Sequence, residues 1–273
     1  MPDSSHTPSI TKEQILSRST LLLGDEVMGR IAEARVILFG VGGVGSWCAE
    51  GLVRSGIRHL TIVDSDVVAP SNCNRQLMAT PSTIGEVKVE ALKRRLLDVA
   101  PDADITATRS VFNAQSAESF HLEQYDYVID AIDSLKDKAE LILRATAIPT
   151  VTLFSSMGAA LKIDPTKIRV SEFWEVRGCP LGSALRKKLR RSGTLPGKEF
   201  LCVYDEEVLE NRGTPPQVDP SSTWDSAKAS INGSLAHITA IFGMTLCGLV
   251  LKDIYSSAPE SDSQDSNITL PPQ

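Results

Sequence analysis

The chain has 273 residues, of which 42% are hydrophobic and 23% are charged, and its formal net charge is -6. This composition is typical of a globular protein with a substantial core, and it excludes fibrous and wholly disordered classes. The acidic balance excludes a surface that coats nucleic acid throughout, so we expect no DNA partner, while a single basic patch is compatible with it. The polar N-terminus and the odd count of five cysteines indicate a cytoplasmic protein with reduced thiols.

The first half of the chain alternates strand-like and helix-like segments. Apolar, β-branched runs predict strands at 35–39, 59–63, 104–111, 125–132 and about 150–156. Helical patterns separate them at 45–55, 85–100 and about 134–146. This alternation predicts an α/β fold with a Rossmann-like, doubly wound, mostly parallel sheet.

A glycine-dense turn follows the first predicted strand. Within GVGGVG, the glycines are Gly40, Gly42, Gly43 and Gly45. Their spacing fits the GxGxxG pattern, in which backbone N–H groups approach a phosphate at the N-terminus of the next helix. About 20 residues further on, Asp64 ends the second strand, where that pattern expects a ribose-binding acid. The sequence therefore predicts nucleotide binding.

Polar side chains continue after the second predicted strand. Asp66 is positioned either to reach a metal or a neighbouring group, or to be a solvated turn residue. The segment NCNRQ then concentrates amides and a guanidinium, namely Asn72, Asn74, Arg75 and Gln76. The planar guanidinium of Arg75 suits phosphate oxygens, and the asparagines can hold the two ends of the loop. An ordinary surface loop is the alternative interpretation of this segment.

Two further positions complete the predicted phosphate site. Lys88 lies in the first turns of a helix, where its cation either neutralises phosphate or simply faces solvent. The fourth predicted strand ends in Asp130 and Asp133; either can hold Mg²⁺, and we assign this role to Asp133 and a helix-capping role to Asp130. Cations and a metal-binding acid around a phosphate chain favour adenylation of a carboxylate over hydride transfer, which does not need them.

The pattern changes after Gly158. Strands predicted within KIDPTKIRVSEF and at 198–205 flank a basic helix that Gly193 closes. The apolar run at 235–251 is at the lower limit of a bilayer span, and we predict a buried core or subunit-interface helix rather than a membrane segment. The segments predicted to be disordered or mobile are 1–14, 205–226 and 256–273.

The motifs GVGGVGS, DSD, NRQ, the lysine of GEVK and DAIDS occur in the order found in the ubiquitin-activating (E1-like) superfamily, which the chain resembles over about 15–156. The resemblance implies that ATP and Mg²⁺ are bound and that a carboxylate is adenylated. The implied roles are ribose binding by Asp64, phosphate binding by Asn74, Arg75 and Lys88, and contacts to magnesium and phosphate by Asp133. It also implies a homodimer, because Arg18 matches an arginine that this superfamily inserts into the neighbouring subunit's site.

The second half of the chain distinguishes members of this superfamily. Sulfur-carrier-activating members usually carry two zinc-binding CxxC pairs, and this chain has none. The segments SSMGAALKIDPTKI, CPLGSALRKKLRRSG and KASINGSLAHITAIFGM instead resemble the tRNA threonylcarbamoyladenosine dehydratase family, within a single predicted domain at 15–255. This resemblance implies that the threonyl carboxylate of N6-threonylcarbamoyladenosine, at position 37 of tRNA, is adenylated and then closed into a ring. Accessory sulfur-transfer proteins would be additional partners.

A basic run and one cysteine bear on this reaction. The densest positive segment consists of Arg186, Lys187, Lys188, Arg190 and Arg191. We interpret it as a contact for tRNA phosphates, and a solvated helix face is the alternative. Cys179 is the best-placed cysteine, but the reacting nitrogen belongs to the substrate itself, so ring closure needs no thioester.

Three other functions remain open at this point. An activator of a ubiquitin-like or sulfur-carrier protein would use the same ATP-binding half and adenylate a different carboxylate. A dimeric scaffold that binds nucleotide without turning it over would have little use for so many phosphate-facing groups. A dehydrogenase would need only the glycine turn and the ribose acid.

Overall fold

A computed structural model describes residues 11–214 and 232–258. The strands are β1 (Arg35–Phe39), β2 (His59–Val63), β3 (Asp104–Thr108), β4 (Tyr127–Asp130), β5 (Thr152–Ser156), β6 (Ile168–Glu172) and β7 (Leu201–Asp205). The helices are α1 (Lys12–Glu33), α2 (Gly45–Arg54), α3 (Lys88–Val99), α4 (Leu135–Ala147), α5 (Pro180–Ser192) and α6 (Ala236–Ser256). The segments 1–10, 215–231 and 259–273 lie outside the described residues.

All seven strands belong to one sheet, in the order β3-β2-β1-β4-β5-β7-β6. Neighbouring strands are parallel except β6, which pairs antiparallel with β7. The sheet order changes direction at β1, which lies between β2 and β4. A crevice therefore forms at the carboxyl ends of these strands, where doubly wound folds bind their ligands.

Helices cover both faces of the sheet, as continuous apolar strands such as VILF require. One apolar cluster joins α1, α2, α3 and α6 to one face, and a second joins α4 and α5 to the other. The predicted doubly wound, mostly parallel sheet is thus confirmed. The predicted C-terminal extension of mixed strands and helices is present, and its strands β6 and β7 continue the same sheet beyond β5.

Helix α6 packs against α2 through small residues. A Cβ atom added at Gly243 would lie 2.4 Å from the carbonyl oxygen of Val44, and one added at Gly51 would lie 3.0 Å from Cys247 Sγ. By length and composition α6 is apolar enough to cross a membrane, yet half of its most apolar window is buried inside the protein. The buried face supports the interpretation of this segment as a core helix.

Several predicted boundaries are wrong. Helix α1 was not predicted. It begins at Lys12, and the side chains of Thr11 and Gln14 cap its first turn. The predicted disordered segment 1–14 is therefore too long at its C-terminal end. Helix α3 begins only at Lys88, because Val87 is extended and pairs with Val67. Strand β3 ends three residues before the predicted position, and α6 continues through Ser256, into the predicted tail.

Candidate functional site

The glycine turn joins β1 to α2 at the carboxyl edge of the sheet. Gly40 has φ +87° and donates its N–H to the carbonyl oxygen of Val63 at 2.8 Å. A Cβ atom at Gly40 would lie 2.7 Å from the carbonyl oxygen of Ala131, and one at Gly45 would lie only 1.8 Å from the carbonyl oxygen of Gly40. The turn therefore excludes side chains at both positions, which leaves its backbone bare at the start of α2.

The middle of the turn contacts a distant part of the chain. A Cβ atom at Gly43 would approach Thr239 Cγ2 at 3.1 Å and Arg75 Cδ at 3.3 Å, whereas one at Gly42 would meet only Gln76 Nε2, at 3.8 Å. Thr239 is in the first turns of α6. Gly43 thus lets α6 and Arg75 approach the turn, while Gly42 is the least constrained of the four glycines.

Asp64 fixes the turn from the end of β2. Its Oδ2 atom accepts the N–H of Val41 at 2.9 Å, and its Oδ1 atom accepts the N–H of Asp66 at 2.9 Å. Burial raises the pKa of this carboxyl, while the nearby Lys88 ammonium acts in the opposite direction. The side chain is therefore at the edge of the glycine turn, as the ribose-binding prediction requires.

Lys88 is buried and paired with Asp66. Its Nζ lies 2.8 Å from Asp66 Oδ2, and its backbone N–H donates to the carbonyl oxygen of Asp66 at 3.0 Å. Of the interpretations left open for Asp66, contact with a neighbouring group is the one observed. The buried position of Lys88 is unlike that of a solvated lysine, and it holds the ammonium group beside Asp64 at the site.

Arg75 is held in place by its own loop. Its Nη1 atom donates to the carbonyl oxygen of Ser71 at 3.0 Å and to Asn74 Oδ1 at 2.9 Å, while its carbonyl oxygen accepts from Trp47 Nε1. Asn74 in turn donates from Nδ2 to the carbonyl oxygen of Ser234, just before α6. The Asn74 side chain thus contacts Arg75 and ties this loop to α6, while its phosphate contact stays a prediction.

Gln76 lies beneath the glycine turn with one polar atom unsatisfied. The residue is buried, and its Oε1 atom is without a hydrogen-bond partner among the described residues. A buried amide oxygen left this way costs free energy, so such atoms commonly face a water molecule or a ligand. Its position under Gly42 is consistent with the predicted binding role of Gln76.

The two acids after β4 differ sharply. Asp130 is fully buried, and its Oδ2 atom lies 2.8 Å from Lys138 Nζ and accepts the Ser155 hydroxyl at 2.7 Å. Asp133 is exposed and faces Arg75, whose pKa is lowered by burial and raised in part by the Asp133 charge. Asp130 is therefore a buried anchor of the loop and not the predicted cap of α4, which is Ser134. Asp133 is the exposed acid beside Arg75, and its contact with magnesium stays a prediction.

The family follows from comparison with known proteins. The ThiF family model matches residues 16–268. This chain belongs to the ThiF family. Within it, the chain is 32% identical over 238 residues to the tRNA threonylcarbamoyladenosine dehydratase of Bacillus subtilis (strain 168), covering 87% of this chain and 93% of that protein. This similarity places it with the dehydratases of that name, as the resemblance predicted.

Solved structures agree with this assignment. The Escherichia coli tRNA N6-threonylcarbamoyladenosine dehydratase, TcdA, in complex with ATP has a TM-score of 0.78 and 29% identity, covering 91% of this chain and 98% of that one. The same protein in complex with AMP has a TM-score of 0.77 and 30% identity, covering 92% and 98%. The alternative of an activator of a ubiquitin-like or sulfur-carrier protein is not favoured by these relatives.

Not every predicted residue of this ThiF-family chain reaches the turn. Arg18 is exposed on α1, one half-turn from Leu16, which lies 3.6 Å from a Cβ built at Gly56. Gly56 follows the far end of α2, so Arg18 is separated from the turn by roughly 15 Å, the length of ten helical residues.

The basic run is also away from the turn, on α5. Arg186 donates to the carbonyl oxygen of Phe173 at 3.2 Å, and the guanidinium carbon of Arg190 lies 5.1 Å from the ring centre of Trp174. Lys187, Lys188 and Arg191 are exposed. The sequence did not indicate a role for Trp174, because only the folded chain brings it against Arg190.

Proposed function

We propose that this chain is an ATP-dependent tRNA threonylcarbamoyladenosine dehydratase, which adenylates the threonyl carboxylate so that a nitrogen of the same substrate closes the ring and displaces AMP. One observation carries the proposal. Arg75 and Lys88 lie at the edge of a bare glycine turn, with Asp133 facing Arg75. The named function and nucleotide complexes of the relatives agree with it.

A nucleotide suits the site on physical grounds. Gly40 and Gly45 keep the turn free of side chains, so backbone N–H groups at the start of α2 can meet phosphate oxygens. Asp64 is positioned to accept ribose hydroxyl groups, because its carboxylate lies at the edge of the turn, bonded to the N–H of Val41.

The cations perform the electrostatic part of the reaction. Negative charge grows on the phosphoryl group and on the departing pyrophosphate as the carboxylate attacks. Arg75 and Lys88 are already fixed, by Ser71, Asn74 and Asp66, so they stabilise that charge without reorganising. Proximity of the internal nitrogen then favours ring closure without a covalent enzyme intermediate.

Asp133 is the residue proposed to hold Mg²⁺. The described residues contain no group of three or more His, Cys, Asp or Glu side chains that could hold a metal ion. A single exposed carboxylate still fits magnesium, which commonly uses one or two carboxylates together with substrate phosphates. When bound, the ion would neutralise charge on the phosphate chain.

The remaining partners follow from the surface of the chain. Arg18 is proposed to act in the neighbouring subunit of a homodimer, because it is far from the glycine turn of its own subunit. The exposed cations of α5 are proposed to contact tRNA phosphates, and the enzyme is proposed to act in the cytoplasm.

Mass spectrometry of tRNA nucleosides tests the proposal directly. Cells that lack the chain should retain threonylcarbamoyladenosine, and restoring the chain should convert it to a product lighter by one water. The purified chain should perform the same conversion only with ATP, releasing AMP in equal amount. Unchanged tRNA nucleosides in both experiments would reject the proposed function.

A further inference from the structure

The cations of α5 share one face of the helix. An open groove of about 450 Å³ is lined by Ser183, Arg186, Lys187, Arg190 and Arg191. Their spacing of three and four residues places them in successive turns on the same side. From Ser183 to Arg191 the groove extends about 12 Å, roughly the axial rise of three to four stacked nucleotides.

The charge in this groove is not neutralised by the protein. None of its four cations forms an ion pair with a carboxylate in the described part of the chain, whereas Arg54 and Arg95, for example, both pair with Glu50. An acidic chain that concentrates unpaired cations on one helix face has a local surface suited to an anionic partner.

An aromatic ring is built into the same surface. Trp174 is edge-on to the buried ring of Phe173 at 5.0 Å, and its backbone N–H donates to the Glu172 carboxylate at 2.6 Å. Phe173 stacks on Phe200. The Arg190 guanidinium lies over the Trp174 ring, and Arg190 itself is exposed. The indole therefore positions the Arg190 guanidinium in the groove, where the arginine side chain is exposed.

We propose that Trp174 and Arg190 form a stacking platform for an unpaired RNA base, with Arg186, Lys187 and Arg191 binding the phosphates beside it. Proteins read single-stranded RNA loops by stacking splayed bases on aromatic rings and on arginine planes, which matches this pairing of ring and cations. An acidic peptide would use the charges but would have no need of the stacked plane. The proposal rests on the proposed function, because it takes the RNA to be the tRNA substrate.

The platform is separate from the reacting nucleoside. Helix α5 begins beside the sheet edge, where Cys179 Sγ lies 3.9 Å from a Cβ built at Gly158, just beyond β5. Arg190 is ten residues further along the helix, roughly 15 Å away. A base stacked on the platform would therefore differ from the base that reacts, so the platform would contribute to the choice of tRNA rather than to the chemistry.

The test compares charge-conserving variants in the full-length chain. Arg190→Lys keeps the charge and removes the plane, so binding of an anticodon stem-loop RNA should weaken roughly 5- to 10-fold with an unchanged salt dependence. Arg94→Lys, at an exposed arginine of α3 outside the groove, is the matched control and should bind as the wild type does. Trp174→Leu should weaken binding to the same extent as Arg190→Lys, and the double variant should lose little more. Melting temperatures would verify that each variant is folded.

An RNA series identifies the stacked base. Loop bases are removed from the RNA one at a time. At one loop position, removal of the base should weaken binding to the wild type as much as Arg190→Lys does. Removal of the same base should not weaken binding to Arg190→Lys any further. Equal binding by wild type and Arg190→Lys, or equal competition by polyglutamate or anionic vesicles, would overturn the platform. Because unmodified RNA is used, these results are independent of whether ring closure occurs.

Discussion

Two aspartates three positions apart show how residue context assigns roles. Asp130 pairs with Lys138, eight residues later on α4, and accepts a hydrogen bond from Ser155 on β5, whereas Asp133 is exposed opposite Arg75. The sequence identified both acids as candidates for the metal, and the preference for Asp133 now has a physical basis. The local sequence pattern could not predict that Asp130 and Lys138 are buried together, because their burial depends on how α4 packs against the sheet.

The pair of acids gives a matched prediction. Asp133→Asn should lower ATP-to-AMP turnover by at least roughly 100-fold with little change in melting temperature, because an exposed group is altered. Asp130→Asn should instead lower the free energy of unfolding by about 3–5 kcal/mol, since it leaves Lys138 buried without its counter-charge. Turnover assays and thermal denaturation would separate the two. Wild-type turnover in Asp133→Asn would remove that residue from the site.

The cysteines provide a second prediction at this scale. Cys73 is exposed in the NCNRQ loop and the other four cysteines are buried. Burial raises the pKa of the Cys48 and Cys202 thiols, and that of Cys247 to about 12, so these three carry little reactive thiolate at pH 8. Iodoacetamide should therefore label only Cys73 in the native chain, and ATP should slow the reaction.

Peptide mass spectrometry would count the labelled sites, and denatured protein, in which all five cysteines react, is the control. Rapid labelling of a second cysteine in the native chain would contradict the described burial. Labelling of Cys73 at the same rate with and without ATP would argue against a nucleotide beside this loop.

At the scale of elements, sequence pattern predicted the parallel core well and the first helix not at all. β1 and β2 match their predicted limits because each is a short apolar run before a turn. Helix α1 was missed because Leu21, Leu22 and Leu23 are consecutive, which obscures a helical period, and because Gly24 interrupts the helix with φ +77°. The hydrogen bond from Asn74 to the carbonyl of Ser234 joins residues 160 positions apart, beyond the reach of local pattern.

The packing of α6 on α2 can be tested with two glycines of one helix. Gly243→Ala would put a methyl group 2.4 Å from the Val44 carbonyl oxygen and 2.8 Å from the Cys48 nitrogen, so it should destabilise the chain by about 1–3 kcal/mol and weaken ATP binding. Gly248 has no atom within 4 Å of its Cβ direction, so Gly248→Ala should be neutral or stabilising by up to about 1 kcal/mol. Denaturant titration and ATP binding would be measured for both, and equal stability would refute the packing.

At the scale of the whole molecule, Arg18 lies near one end of α2 and the glycine turn lies at the other end. Helix α1, which carries Arg18, exposes Leu21 and Leu22, which are 88% and 80% accessible and would be covered if a second subunit packs there. The E1-like resemblance supplied the idea of an arginine shared between subunits, and the described position of Arg18 is consistent with it. The distance between Arg18 and the glycine turn could not be predicted from the sequence, because this distance depends on how α1 packs.

Mixing two inactive variants tests this arrangement. Arg18→Ala and Lys88→Ala chains should each lose activity, and after exchange of subunits about a quarter of wild-type activity should return, since half the dimers would be mixed and each would hold one complete site. Turnover after co-refolding would be compared with that of unmixed controls. No recovery, with mixed dimers verified by mass, would mean that Arg18 does not act across the interface.

The contact of Thr239 with Gly43 has a consequence for the biosynthesis of the chain. The motifs proposed to contact the phosphates all precede residue 134, but the helix that contacts the glycine turn and packs on α2 begins more than 100 residues later. When only the first half of the chain has emerged from the ribosome, the motifs are therefore present without the helix that packs on them. The ability to consume ATP should therefore arise only after α6 has left the exit tunnel of the ribosome.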